Sequence, residues 1–141
     1  MGAEFTQRTD AWIAHAVTGA LSGAVWIGGA GLAFAVATAW LGVATPVARV
    51  LAAASLLLAL PQLWLLLRVA IDRRLFAALA TAGQPDLAGL DAALLELGWM
   101  PAQRAGRPLL DRARGALRLV RASAALTVCQ LALALLILIL R

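Results

Sequence analysis

Three stretches of eighteen residues or more carry no charged side chain: residues 11–48, 50–67 and 122–140. A helix crosses the ~30 Å hydrocarbon layer of a bilayer with about 20 apolar residues. Inside that layer every backbone N–H and C=O must find its partner within the protein, which leaves helices and closed barrels as the spanning structures. Runs of this length predict an all-α, helical integral membrane protein with three transmembrane helices. Composition agrees, since 63% of the residues are hydrophobic and 13% are charged, whereas a soluble domain carries about 25% charged residues. An ordinary soluble domain, a disordered tail and a free DNA-binding module are excluded. A single membrane domain over residues 1–141 is expected.

The first run is too long for one perpendicular span and too short for two spans with a turn. Trp12 and Trp40 mark its interfaces, because indoles concentrate at headgroup depth. The 28 residues that separate them correspond to about 42 Å of helix, so the span proper is placed near 18–42. The stretch after Asp10 stays uncharged far beyond the h-region of a signal peptide and is expected to persist as an anchor. Thr45-Pro46 reads as an N-cap followed by proline at the first helical position. The second span is therefore placed at 46–71, in a tight antiparallel hairpin with the first and with a kink expected at Pro61. The third lies at 122–140.

Between spans two and three, about 72–121, a helical hairpin extension outside the bilayer is expected. Pro85-Asp86 opens a short amphipathic helix there, closed by Gly98, with Leu87, Leu90, Leu94 and Leu97 on one face and, less cleanly, Asp91 and Glu96 on the other. Residues 68–121 hold nine Arg against five acids. By the positive-inside rule this segment and the N-terminus are cytoplasmic and the C-terminus is periplasmic or extracellular. All twelve cationic side chains are Arg, while Lys, Asn and Tyr, whose codons are A/T-rich, are absent. That bias points to a GC-rich bacterial genome and thus to a bacterial inner membrane. Arg73, Arg74, Arg107, Arg114, Arg118 and Arg121 are candidates to contact anionic lipid headgroups or an acidic partner. No aromatic interleaving supports nucleic-acid binding.

Helix packing leaves the clearest pattern. In span one Ala24, Gly28, Gly31, Ala35, Thr38 and Gly42 recur at spacings of 4, 3, 4, 3 and 4, with a Gly19–Gly23 pair nearby. Lipid and leucine are equally apolar, so membrane helices associate by close backbone approach, which small residues allow. Span two repeats the scheme with Ala48, Ala52, Ser55, Ala59 and Gln62, and span three with Ser123, Thr127, Gln130 and Ala134. Sequence leaves open whether these seams pack within one chain or between chains. Gln62 and Gln130 are the strongly polar groups deep in the spans, each nine residues from an assumed cytoplasmic end at Ile71 or Arg121. An unpaired amide in hydrocarbon costs several kcal/mol, so a mutual Gln62–Gln130 contact is expected.

Chemistry is sparse. His15 lacks a companion ligand and reads as an interfacial residue beside Trp12. Cys129, alone in an apolar run, reads as a small hydrophobe. No acid or histidine lies inside a span, and no Walker loop, GxSxG elbow or metal-spaced cluster occurs. Neither a catalytic residue, a cofactor nor a metal is expected. The favoured expectation is a non-catalytic accessory, assembly or anchoring subunit that meets the lipid bilayer and other membrane chains or copies of itself. Two alternatives compete with it: an oligomeric transporter or channel lined by Ser55, Gln62, Thr127 and Gln130, and a holin-like permeabilising protein.

Overall fold

A computed structural model describes residues 2–42, 45–81 and 87–140, with side chains from Thr9 onward. Among these residues it contains α1 (Gly2–Leu41), α2 (Pro46–Thr81), α3 (Leu87–Glu96), a 3-10 turn (Ala102–Arg104) and α4 (Leu109–Ile139), and no strand. Within α1 the stretch Thr9–Leu41, and the whole of α2 and α4, are long and apolar enough to cross a membrane. The chain is an all-helical, membrane-spanning bundle. At 40, 36 and 31 residues the three long helices outrun the ~20 needed for a crossing, so each projects beyond the hydrocarbon layer.

Local chemistry sets the ends. The Thr45 hydroxyl accepts from the Ala48 N–H at 3.1 Å, which caps α2 at its third helical residue, and Pro46 opens the helix without losing a bond. The helix is continuous through Pro61. At the other end of the connection, Gly98 takes φ 68°. Gly98 N–H donates to Leu95 O at 3.0 Å and Trp99 N–H donates to Leu94 O at 2.9 Å. This paired closure ends α3 and needs a left-handed residue, which glycine adopts without a Cβ penalty. The expected opening of α3 at Pro85-Asp86, and Gly83 before it, lie outside the described residues.

Packing follows one period throughout. The buried positions of α1 are Ala14, Val17, Leu21, Ala24, Gly28, Gly31, Ala35 and Thr38, continued by Gly42 just past its end, in alternating steps of three and four. Ala113, Ala116, Ser123, Thr127, Gln130 and Ile137 keep the same register on α4, as do Ala48, Ala52, Ser55, Gln62, Leu65, Val69, Phe76 and Leu79 on α2. A 3.5-residue repeat keeps one seam facing its neighbours along the whole length, as in left-handed coiled coils. α1 lies between the other two in sequence of contact, packing extensively on both α2 and α4. The seams therefore pack within one chain.

Two clusters of buried apolar residues sit at opposite ends. One gathers Leu21, Val69, Phe76, Leu79 and Leu109 where the arginine-rich connection joins the bundle, with Leu87 and Leu90 of α3 laid against it. The other joins Ala48, Ala52 and Ile137 at the far end. The section between them is polar and small.

Candidate functional site

Four side-chain contacts define the middle section. The Thr38 and Ser55 hydroxyls meet at 3.0 Å, joining α1 to α2. Thr38 also reaches the carbonyl of Phe34 one turn back, the usual back-bond of a hydroxyl within a helix. Gln62 Nε2 donates to Ser123 Oγ at 2.9 Å, joining α2 to α4. Thr127 Oγ1 donates to Ile27 O at 3.0 Å, joining α4 to α1. Each pair of helices is thus tied once.

The glycines of α1 make room for this chemistry. A Cβ on Gly28 would fall 2.6 Å from Gln62 Nε2 and 2.6 Å from Leu66 Cδ2. One on Gly31 would collide with Gln130 Oε1 and lie 2.7 Å from Thr127 Oγ1. The small-residue seam and the two glutamines, separate features in sequence, are one construction: each glycine is the notch into which an amide from a neighbouring helix fits. Ala24, Ala35 and Gly42 are buried in the same seam, as are Ala52 and Ser55, while Ala59 is half-buried.

The expected Gln62–Gln130 bond does not form. Gln62 pairs with Ser123, and Gln130 is fully buried with neither amide atom hydrogen-bonded. The reason is register. Ser123 stands opposite Gln62, so Gln130 lies one heptad farther along α4, about 10 Å away. A depth measured from Ile71 and Arg121 takes these two residues as level, but α2 and α4 continue as helix past both. Ile71 and Arg121 therefore do not mark equal height on the two helices. Gly19 and Gly23 are exposed on the outer side of α1, away from the seam, and Cys129 faces outward from α4.

At the arginine-rich end the decisive residue is an acid turned inward. Asp91, expected on the polar face of α3, is 5% exposed. Its Oδ2 accepts from Arg112 Nη2 at 2.7 Å and from the Gly106 N–H at 2.8 Å. Gly106 has φ 74°, the left-handed turn that aims its N–H at the carboxylate. Burial alone would raise the Asp91 pKa, but the Gly106 N–H and the Arg112 guanidinium outweigh it and hold the carboxyl below its ordinary value. This contact clamps α3 and the connection to α4. An acid fifteen residues before a glycine and twenty-one before an arginine leaves no local signature.

Beside the clamp, α2, α3, the connection and α4 enclose a groove of about 540 Å³. Trp64, Ile71, Leu75 and Leu119 form its apolar part, and Arg68, Arg104, Arg107 and Arg112 its cationic part, with Asp72 and Asp111. Of the six arginines singled out from sequence, Arg107 alone lines it. Arg114 pairs with Asp111 at 3.2 Å; Arg74, Arg118 and Arg121 are exposed and Arg73 is half-buried. Folding of the connection, not spacing along a helix, brings Arg68 and Arg104 to the same hollow. His15 lies beside Trp12, with ring centroids 6.4 Å apart. No group of three or more His, Cys, Asp or Glu side chains suited to a metal occurs among the described residues. Comparison with protein-family models, with curated proteins and with solved structures finds no match for this chain.

Proposed function

We propose that this chain is a non-catalytic subunit of a larger complex in a bacterial inner membrane, serving assembly or anchoring, with its arginine-rich end in the cytoplasm. The observation that carries the reading is a second small-residue face on α1. Gly19 and Gly23 point away from the bundle, and a Cβ added at either would meet nothing within 4 Å. Trp12, Trp26 and Trp40 stand 74%, 82% and 79% exposed on the same helix. A GxxxG pair open to lipid offers a helix of another chain the close backbone approach on which membrane association depends.

The transport alternative lacks comparable support. Ser55, Gln62, Thr127 and Gln130, the side chains that would line a path between chains, are buried in the core of a single bundle. Purification in mild detergent followed by identification of bound chains tests the proposal. A stoichiometric partner is expected, and it should be lost in Gly19→Ile/Gly23→Ile while thermal unfolding of the chain itself stays unchanged. Recovery of the chain alone, or of a self-assembled ring without any partner, overturns it.

A further inference from the structure

We propose that the groove between α2, α3 and α4 binds an anionic phospholipid, with the phosphate held by Arg104 and Arg107 and an acyl chain laid along Trp64, Ile71 and Leu75. This goes beyond the subunit reading and does not depend on it.

Charge inside the groove is not self-neutralised. Arg112 is committed to Asp91, at 2.7 Å, and Asp111 is answered by Arg114, which does not line the groove. Arg68 and Asp72 make a longer pair at 3.7 Å. Arg104 and Arg107 form no ion pair with any described residue, yet both line the same hollow. Two guanidinium forks that line one hollow and have no carboxylate partner of their own match a phosphate, which can accept two parallel N–H bonds from each.

The rest of the lining selects a lipid over a soluble phosphate. Trp64 and Arg68 are one helical turn apart on α2 and both line the groove, the order in which an indole and a snorkelling arginine meet a bilayer surface. Below them, Leu60 and Leu57 are exposed one and two turns before Trp64 on the same helix, so the apolar part of the groove runs on into the lipid-facing surface. An amphiphile whose head and tail are both satisfied fits this gradient, and it reaches the site from the bilayer without crossing water. Inorganic phosphate would satisfy the cationic part alone.

The test uses the full chain in nanodiscs, with Trp12, Trp26 and Trp40 replaced by Phe so that fluorescence reports from Trp64 and Trp99. Phosphatidylcholine or phosphatidylglycerol brominated on its acyl chains is added at equal mole fraction. Bromine quenches indoles on contact, and severalfold stronger quenching by the phosphatidylglycerol is expected. Arg104→Gln/Arg107→Gln should bring the two lipids to parity, whereas Arg118→Gln/Arg121→Gln, outside the groove, should keep the preference. Both pairs are exposed, so helicity and unfolding should match the parent; the single variants serve if a double variant does not fold. Equal quenching by both lipids overturns the proposal, as does equal loss in the two double variants, which would mean diffuse surface attraction. Displacement of the brominated lipid by millimolar inorganic phosphate overturns it too.

Discussion

The two halves of this bundle are built inside out relative to one another. At the arginine-rich end the core is Leu21, Val69, Phe76, Leu79 and Leu109, and Arg74, Arg114, Arg118 and Arg121 lie on the outside. In the middle section the core is Thr38, Ser55, Gln62, Ser123, Thr127 and Gln130 against glycine, and Trp26, Val36, Leu57 and Leu60 lie on the outside. The heptad repeat passes through both without a break. What changes is the solvent. Burying a large apolar side chain from water contributes about 1.5–3 kcal/mol, a gain that vanishes when the alternative is hydrocarbon. In lipid, cohesion comes from backbone proximity and from hydrogen bonds that have no water to compete with.

This contrast ranks the effect of substitutions. The largest loss is expected for Phe76→Ala, about 3–5 kcal/mol, because it empties a buried apolar site at the end that faces water; denaturant unfolding in micelles measures it. Next comes the Asp91 clamp. Its carboxyl is held below the ordinary value of 3.8, so its stabilisation is complete at neutral pH and is lost as pH falls through that depressed value. Charged hydrogen bonds of this kind contribute about 1.5–3 kcal/mol. Hydrogen exchange in α3 should rise steeply under strong acid, and Asp91→Asn should raise it at neutral pH and flatten the acid dependence.

Gly31→Ala should cost about 1–3 kcal/mol by overpacking against Gln130 and Thr127, whereas the same change at the outward Gly23 should be near neutral; paired thermal melts check the difference. Gln62→Leu should cost only about 0.6 kcal/mol, the usual size of a membrane hydrogen bond. Gln130→Met should be neutral or slightly stabilising, since it removes a buried amide with no partner and keeps the volume. A large loss at Gln130 in equilibrium unfolding would reverse the proposed order of the two halves.

Much of this was legible in the residues. The Thr45-Pro46 start of α2 and the Gly98 stop of α3 follow from local rules that act over one turn. The small-residue seam was legible for the same reason: a 3.5-residue spacing is a property of one helix. The glutamines were identified, but not their partners, because pairing depends on how far one helix slides past another. A shift of one heptad preserves every face and moves every contact by about 10 Å. The inward turn of Asp91 is not legible in the periodicity of α3, because its partners come from the connection and from α4.

The order of residues was enough to establish three helices long and apolar enough to cross a membrane and which stripe of each turns inward, since hydropathy and helical periodicity are local properties. The pairing of Gln62 with Ser123, the isolation of Gln130, and the meeting of Arg68, Arg104 and Arg107 in one groove came from the fold. Those depend on helix register and on the path of the connection, both of which are set by packing among residues distant in sequence.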